Sequence, residues 1–325
     1  MPSHVILLNW NSAGDTTECL ANLVECKVPA KIIIADNASS DESVARITEW
    51  AIARDLRILH VRESDIDNHA ALPEDYDLVI IQNCANHGFA GGNNTALRFA
   101  VPRSRDGFLW LLNNDARVDR ATFPKMMEKF ANDPGLGFVG SVIRYYETPD
   151  VLQCYGGCVV HPWIGKRSLY GKGSSIDNIE DLHENEIDYL MGASLAFRVD
   201  VVQQIGLMEH AYFMYAEEMD WQLRARNRGW RIGVASESHV FHKGAASTSG
   251  RSHLYHYYLN RASAMFSTRF FGRKSLLTVA PSLLAIILLQ NWRTPRNVLH
   301  GWKGVFEGSA YHWAQTHPFP HRVKE

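Results

Sequence analysis

Four short apolar runs in the first 115 residues constrain the fold more than any other feature of the chain. They are Val5–Leu8, Lys31–Ala35, Leu78–Ile81 and Phe108–Leu112. The runs are apolar throughout rather than alternating, which is typical of parallel strands buried on both faces. Helix-like stretches separate them, and this order of strands and helices predicts a doubly wound α/β sheet.

Asparagine or aspartate follows each of these runs. In open α/β sheets, ligands bind outside the edge that the carboxyl ends of the strands form. Asn and Asp are also turn formers, so a single polar strand end carries little information. Four polar ends at one edge, however, predict a binding site for a polar ligand. The residues concerned are Asn9, Asn11, Asp36, Asn37, Asn83, Asn86, Asn113, Asn114 and Asp115.

Asp115 follows the fourth run and is a candidate metal ligand. A divalent cation that bridges a carboxylate and the oxygens of a diphosphate neutralises the charge of that leaving group. We therefore expect Asp115 to bind Mg²⁺ or Mn²⁺ and, through it, a nucleotide-linked substrate. A single histidine among His239, His242, His253 and His256 is expected to serve the ion beside Asp115. The alternative, that Asn113-Asn114-Asp115 is only a turn, stays open.

Three acids, Glu217, Glu218 and Asp220, open a predicted helix that ends near Gly229. The run Tyr212–Tyr215 before them is strongly apolar, which places the acids at the end of a buried segment. Burial raises the pKa of a carboxyl group and makes base catalysis possible there. The alternative is a helix start whose acids simply complement the helix dipole.

The glycine-rich run from Gly88 through Gly91 and Gly92 opens another predicted helix. It contains no lysine and matches neither the phosphate loop of ATPases nor the dinucleotide fingerprint. We expect it to let the backbone approach a nucleotide sugar closely.

Two later segments differ in composition. Residues 146–188 mix glycines and aromatics with an acidic stretch, which predicts a mobile loop that acts as a lid or contacts the acceptor. The helical tail contains the apolar run Leu276–Leu289, which is flanked by basic residues. This run is shorter than the about 20 residues of a membrane-spanning helix. Two interpretations stay open for it: a buried helix packed on the catalytic domain, or an amphipathic element on an anionic membrane surface.

Size and charge limit the class of protein. A chain of 325 residues fits one catalytic domain over residues 1–250, divided at residue 115 into nucleotide-binding and acceptor halves, with a helical extension over 251–325. The formal net charge of −2 excludes a basic nucleic-acid-binding protein. Five cysteines, an odd number, and no signal-peptide pattern favour the reducing cytoplasm. The oligomeric state is left open.

Together these residues resemble the family 2 glycosyltransferases with the GT-A fold, and within them the rhamnosyltransferase-like branch. The resemblance covers about residues 4–245. It rests on the order of its motifs along the chain. These are Asn9-Trp10-Asn11, Asp36–Asp41, Asn86–Asn94, Asn113-Asn114-Asp115, Met191-Gly192-Ala193, Glu217–Asp220 and His242.

The resemblance implies a mixed Rossmann-like sheet with helices on both faces. It also implies a single inverting displacement, in which Glu218 is the catalytic base and Asp115 and His242 bind the metal. Gly192, Ala193, Glu217 and Asp220 are the implied acceptor-binding residues. The implied donor-binding residues are Asn9, Asn11, Asp36, Asn37, Asn86, Gly88, Gly91, Asn94, Asn113 and Asn114.

Two positions depart from the family's pattern. Asn113 stands where the family's metal-binding motif usually has its first aspartate, which weakens the anionic metal site. Glu218 stands where the family usually has an aspartate as the base, which lengthens that side chain by one methylene.

The resemblance favours a deoxythymidine-diphosphate rhamnose donor, with a uridine-diphosphate sugar as the alternative. The implied acceptor is a glycan or a lipid-linked glycan of cell-surface polysaccharide synthesis, met in the cytoplasm or at the inner face of the plasma membrane.

Three other functions were weighed against this interpretation. A nucleotidyltransferase that makes nucleotide sugars needs a basic glycine-rich loop near the N-terminus, and residues 9–14 contain no Lys or Arg. A non-catalytic carbohydrate-binding protein does not need acids at both 115 and 218. A structural zinc site is disfavoured because no cysteine or carboxylate is interleaved with the histidines at zinc-finger spacing.

Overall fold

The computed structural model describes residues 3–68, 72–104, 107–244 and 252–320. Within these ranges the chain forms a ten-stranded mixed sheet and a second sheet of three strands. The strands are β1 (Ser3–Asn9), β2 (Lys31–Asp36), β3 (Ile58–Arg62), β4 (Leu78–Gln82), β5 (Phe108–Leu112), β6 (Ala116–Val118), β7 (Leu136–Tyr145), β8 (Leu152–Tyr155), β9 (Gly157–His161), β10 (Lys166–Leu169), β11 (Tyr189–Leu190), β12 (Ser194–Arg198) and β13 (Arg231–His242).

The large sheet has the strand order β3-β4-β2-β1-β5-β12-β7-β13-β6, and β8 pairs with β7. Strands β3, β4, β2, β1 and β5 are parallel to one another, while β12 is antiparallel to both β5 and β7. The expected mixed α/β sheet is confirmed. Strand β3 was not predicted, because its edge position leaves Ile58 and Leu59 only partly buried.

The described α-helices are α1 (Ala13–Glu25), α2 (Ser43–Ile52), α3 (Gly88–Ala100), α4 (Thr122–Asn132), α5 (Val199–Ile205), α6 (Glu217–Arg226), α7 (His253–Phe271), α8 (Leu276–Asn291) and α9 (Pro295–Ala310). Helices α1 to α6 flank the large sheet, while α7 to α9 pack on α6 and on one another.

Successive side chains of a strand point to opposite faces, so the sheet separates two apolar clusters. Ile33 packs in the cluster that contains Phe99 of α3 and Trp221 of α6. Its neighbour Ile34 packs in the cluster that contains Leu20 of α1 and Ile47 of α2.

The expectation of a mobile loop over residues 146–188 was wrong. This segment contains β8, β9 and β10, and Asp188 at its end accepts a hydrogen bond from the backbone N–H of Val160 at 2.7 Å. Four of its five glycines, Gly156, Gly157, Gly165 and Gly171, are closely packed against neighbouring residues. A Cβ on Gly157, for example, would overlap the carbonyl oxygen of Tyr189.

The C-terminal helices pack on the rest of the chain. Met265 and Phe266 of α7 share a buried cluster with Met219 and Leu223 of α6. The predicted domain boundary at residue 250 lies outside the described residues.

Helix α9 packs closely along α7 because it presents glycines there. A Cβ on Gly304 would overlap the carbonyl oxygen of Tyr257, and a Cβ on Gly308 would overlap that of Arg261. Larger side chains at these positions would push the two helices apart.

We expect Gly304→Ala to lower the free energy of unfolding by about 1–3 kcal/mol, the usual range for overpacking a tight contact. Thermal denaturation followed by circular dichroism measures the effect. Gly14→Ala is the matched control, because a Cβ on Gly14 of α1 meets no atom within 4 Å. Equal midpoints for Gly304→Ala and the wild type would contradict this account of the packing.

Candidate active site

The carboxyl ends of four neighbouring parallel strands form one polar edge. Asn9 at the end of β1 is in register with Asp36 at the end of β2, and Asp36 is in register with Gln82 at the end of β4. Asn113 directly follows β5, which pairs with β1 on its other side. The structure therefore brings the predicted polar residues to one place.

Asp36 is held in a fixed orientation by its neighbours. The side-chain amide of Asn9 donates to Asp36 Oδ1 at 2.8 Å, and the backbone N–H of Ser39 donates to Asp36 Oδ2 at 3.0 Å. Asn9 is fully buried, and its oxygen accepts from Thr16 Oγ1 at 2.7 Å. Asn9 was expected to bind the donor directly; because it has no exposed surface, it positions Asp36 instead.

Asn11 and Asn37 organise the loops around Asp36. Asn11 Oδ1 accepts a hydrogen bond from the backbone N–H of Ser40 at 2.8 Å. Asn37 donates to Asn86 Oδ1 at 2.9 Å and to the carbonyl of Gly88 at 3.0 Å. The side chains of Asn11 and Asn86 remain exposed at the edge.

Parts of the glycine-rich helix start are used inside the protein. A Cβ on Gly91 would lie 2.5 Å from Cβ of His87, so this glycine permits close packing. The amide of Asn94 donates to the carbonyl of Met208 at 2.8 Å and accepts from the Met208 N–H at 3.0 Å. Asn94 was expected to bind the donor, but both of its amide groups are taken by this backbone.

Asp115 and His242 form a buried pair at the opposite end of the edge. Asp115 Oδ1 lies 3.1 Å from His242 Nε2, and the two residues are 8% and 4% exposed. Strand pairing makes this contact, because His242 at the end of β13 is in register with Ala116, the first residue of β6. The backbone N–H of Lys243 also donates to the carbonyl of Asp115 at 3.1 Å.

The hydrogen bond of His242 to Gln153 fixes which ring nitrogen can bind a cation. Gln153 Oε1 lies 2.8 Å from His242 Nδ1. Nδ1 therefore carries the proton, and Nε2 presents a lone pair in the neutral ring. That lone pair lies 3.0 Å from the donor Asn113 Nδ2 and 3.1 Å from Asp115 Oδ1, and the latter has no hydrogen-bond donor among the described residues.

Two electron-rich atoms at this separation need a proton or a metal cation between them. The oxygen and nitrogen ligands suit a divalent metal. Gln153 supplies the outer hydrogen-bond partner that metal-binding histidines usually have. The residues present at this end of the edge therefore fit a divalent cation.

Burial opposes ionisation of Asp115, but His242, when its ring carries a second proton on Nε2, and the charge of Lys243 outweigh it and lower the pKa of Asp115. A carboxylate that is ionised at neutral pH is the form that binds a metal ion.

Asn113 and Asn114 complete this end of the edge. Asn113 Nδ2 lies 3.0 Å from His242 Nε2, and the amide of Asn114 donates to Thr16 Oγ1 at 2.8 Å. Asn113 therefore stands beside the pair, where the family's pattern has a second acid.

The acids at the start of α6 follow a strained backbone. Phe213, Tyr215 and Ala216 all have positive φ values, of 66°, 69° and 73°. Such conformations are costly for residues with a Cβ and persist only where the surrounding structure enforces them. Here the carbonyl of Phe213 accepts a hydrogen bond from the N–H of Phe89 at 2.8 Å, which fixes the turn against the start of α3.

Glu217 and Glu218 lie close together in an apolar environment. Burial, and then the charge of Glu218, raise the pKa of Glu217 well above its usual range. Burial also raises the pKa of Glu218, and the guanidinium of Arg167 on β10 partly offsets that effect. Oε2 of each acid lacks a hydrogen-bond partner in the part of the chain that the structure describes. Glu218 is partly exposed, whereas Glu217 is buried.

Asp220 was expected to bind the acceptor, but the structure gives it another role. It is fully buried, Oδ1 accepts from Arg224 Nε at 2.7 Å, and Oδ2 lies 3.0 Å from Arg269 Nε and accepts from Tyr212 at 3.1 Å. Both oxygens are occupied, so Asp220 ties α6 to α7 and does not face a ligand.

The turn at Gly192 and Ala193 connects the two acidic centres. The carbonyl of Ala193 accepts a hydrogen bond from the backbone N–H of Asn113 at 3.0 Å. A Cβ on Gly192 would lie 3.7 Å from Cγ of Glu218 and 3.4 Å from the ring of Phe89. The turn thus touches both the Asn113–Asp115 segment and the candidate base.

Sequence analysis missed two residues of this site. Gln153, which orients His242, and Arg167, which acts on Glu218, both lie in the segment that was expected to be a mobile loop. No sequence pattern marked either residue as functional, because each lies within a strand of only four residues, Gln153 in β8 and Arg167 in β10.

The chain is similar in sequence to known glycosyltransferases. Residues 4–153 match the model of glycosyl transferase family 2. The low-salt glycan biosynthesis hexosyltransferase Agl10 of Haloferax volcanii is 20% identical over 294 residues, which cover 90% of this chain and 83% of that protein.

Solved structures show the same architecture. A mannosyltransferase, PcManGT from Pyrobaculum calidifontis, in complex with GDP-Man and Mn²⁺, is similar with a TM-score of 0.55 at 16% identity, over 95% of this chain and 85% of that one. The structure of S. aureus TarS 1-349 in complex with UDP-GlcNAc has a TM-score of 0.50 at 13% identity, over 94% of this chain and 91% of that one. The fold is GT-A.

Proposed function

We propose that this chain is an inverting glycosyltransferase that moves a sugar from a nucleoside-diphosphate donor to an acceptor hydroxyl. One observation carries the proposal: the buried pair of Asp115 and His242 and the partly exposed Glu218 are joined by the turn at Gly192 and Ala193. A leaving-group site and a base side by side are what a single displacement requires.

Asp115 and His242 are the proposed ligands of Mg²⁺ or Mn²⁺. When bound, the cation supplies neutralisation of the negative charge that develops on the departing nucleoside diphosphate. The Mn²⁺ in the complex of the similar PcManGT supports this choice of cofactor. Because Asn113 contributes no charge, we expect the diphosphate itself to add to the affinity for the cation.

Asp36 is the proposed reader of the base and ribose of the donor. Its carboxylate is fixed by Asn9 and Ser39, so it accepts hydrogen bonds without having to reorient. Around it, Asn11, Asn37, Asn86, Gly88, Asn113 and Asn114 form the proposed donor site, and Asn9, Gly91 and Asn94 support it from inside the protein.

Glu218 is the proposed catalytic base. Its raised pKa brings it closer to the working pH, which strengthens it as a proton acceptor. It takes the proton of the acceptor hydroxyl as the oxygen attacks the anomeric carbon, and the bond from that carbon to the diphosphate breaks. Glu217 and the turn at Gly192 and Ala193 line the proposed acceptor side.

The sugar and the acceptor are finer points of the proposal. The resemblance favours rhamnose, while the similar proteins are named for hexosyl and mannosyl transfer. The acceptor is a glycan or a lipid-linked glycan of cell-surface polysaccharide synthesis.

The five cysteines are free thiols, which supports a reducing cytoplasmic location. A donor-hydrolysis screen across nucleotide sugars, with and without Mn²⁺, identifies the donor.

We expect Glu218→Gln to reduce sugar transfer by at least about 100-fold, because an amide cannot accept the proton. Donor binding should be retained, since the variant leaves Asp115 and Asp36 in place. Steady-state transfer and calorimetric donor binding measure the two effects, with the exposed Glu147→Gln as the control. Full transfer activity in Glu218→Gln would overturn the assignment.

We expect Asp115→Ala to abolish the Mn²⁺-dependent part of nucleoside-diphosphate binding, because His242 alone is a weak ligand set for the cation. Isothermal titration calorimetry with UDP and dTDP, with and without Mn²⁺, measures this part. Asp150→Ala, at an exposed position, should bind like the wild type. Unchanged Mn²⁺-dependent binding in Asp115→Ala would argue against the metal site.

The pH dependence of transfer should respond to Arg167. The base works only when ionised, so kcat/KM falls as the pH drops through the raised pKa of Glu218. Arg167 lowers that pKa, so Arg167→Met should move the acid limb of the profile to higher pH. Lys166→Met removes the same charge from a neighbouring residue that does not affect Glu218, and should leave the limb in place. Identical shifts in both variants would contradict the assigned role.

A further inference from the structure

We propose that the outer face of α8, together with the tip of the β9–β10 hairpin, is a docking surface for an anionic lipid bilayer. We call this the lipid-facing surface. It consists of Trp163 and Ile164 at the hairpin tip and Leu277, Leu288, Leu289 and Trp292 on or next to α8.

Helix α8 has two opposite faces. Val279, Leu283 and Ile287 are buried and pack against Val298 and Val305 of α9. The other face is apolar but exposed: Leu277 is 80% and Leu289 is 75% exposed. Exposed apolar patches of this kind mark interaction sites with proteins or membranes.

The hairpin tip lies directly beside α8. A Cβ on Gly165 would lie 2.6 Å from a methyl group of Val279, so the hairpin packs against this helix on the side of its buried residues. Trp163, two residues before Gly165, is 76% exposed, and Trp292 directly after α8 is 64% exposed. Tryptophan is enriched at the interface between lipid and water, and this surface carries one in each of its two elements.

Charge favours a bilayer over other occupants. The segment 273–296 contains Arg273, Lys274, Arg293 and Arg296 and no acidic residue. Basic residues at both ends of an apolar helix face are attracted to anionic lipid headgroups. A second copy of this chain fits less well, because an isologous antiparallel contact of α8 with itself would bring the basic ends together.

The helix is suited to lie on a membrane and not to cross it. The helical segment Arg273–Asn291 is long and apolar enough, by length and composition, to span a membrane. Only 17% of its most apolar stretch of 18 residues is buried inside the protein. The regular helix α8, however, has only 16 residues. At about 1.5 Å per residue such a helix is roughly 24 Å long, against about 30 Å for the hydrocarbon core of a bilayer. One face of α8 is also held by α9, where Trp302 Nε1 donates to the carbonyl of Leu284 at 3.1 Å.

This surface adjoins the proposed acceptor side. The β10 strand of the same hairpin carries Arg167, whose charge acts on Glu218. Arg167 is four residues from Trp163 across the hairpin turn, so the two Cα atoms are at most roughly 13 Å apart at about 3.3 Å per residue. If the proposed function holds, an acceptor glycan on a lipid carrier would meet Glu218 close to the membrane surface.

Vesicle flotation with the purified full chain tests the proposal and does not depend on catalysis. The probes are vesicles of phosphatidylcholine alone and of phosphatidylcholine with roughly one third phosphatidylglycerol. The wild type should float with the anionic vesicles and dissociate as salt is raised. Leu277→Glu/Leu289→Glu should reduce the bound fraction at least about tenfold, and Lys274→Glu/Arg296→Glu should remove the preference for anionic vesicles. Ile52→Glu is the matched control, because Ile52 is an equally accessible apolar residue on α2 at 62% exposure.

Absence of flotation by the wild type, or unchanged flotation of the Leu277→Glu/Leu289→Glu variant, overturns the proposal. Retention of the protein on vesicles after a carbonate wash would show a spanning helix and overturn it too. If the wild type does not bind vesicles but self-associates in sedimentation, and Leu277→Glu/Leu289→Glu abolishes this self-association, the surface binds a second copy of the chain instead. Donor hydrolysis without vesicles, measured in parallel, should be unchanged in all variants. If the wild type itself does not hydrolyse any donor, that result counts against the proposed function and not against the lipid-facing surface.

Discussion

The pairing of β13 with β6 is the interaction on which the candidate site depends. It places His242 opposite Ala116 and so brings His242 Nε2 to 3.1 Å from Asp115 Oδ1. Asp115 by itself would be one polar residue at a strand end. With His242 beside it and Gln153 hydrogen-bonded to the far side of the imidazole, it becomes half of the proposed cation site. The strand register thus supplies the second proposed ligand, in a site where position 113 carries no acid.

The second centre depends on strain and burial. Three residues with positive φ lead into α6, and the contact of Phe213 with the start of α3 holds them. Placing Glu217 and Glu218 together in an apolar environment raises the pKa of both carboxyl groups and destabilises the ionised fold. The buried network of Asp220 with Arg224 and Arg269 anchors the same helix and offsets part of this destabilisation. Strained backbone and raised carboxyl pKa values that the surrounding contacts maintain are typical of catalytic sites.

The parts of the fold that could be predicted are those in which local pattern and environment agree. The runs at β1, β2, β4 and β5 are continuously apolar because both of their faces are buried, and their ends were placed within one residue or two. The segment 146–188 failed because glycine occurs both in mobile loops and in tightly packed turns, as at Gly157, and only the neighbouring strand distinguishes the two. For Asn9, Asn94 and Asp220, residue type and structural environment point to different roles. Their residue types suit ligand binding, but burial and existing partners, which no local pattern reveals, assign them to support.

The central claim is that Asp115 and His242 hold the cation that binds the donor diphosphate. Anomalous diffraction from crystals grown with Mn²⁺ and a nucleoside diphosphate tests it most directly. The account predicts one manganese peak within coordination distance, about 2.0–2.2 Å, of both a carboxylate oxygen of Asp115 and Nε2 of His242. A diphosphate bound at this edge with no manganese peak between these two side chains, or with the peak elsewhere, would contradict it.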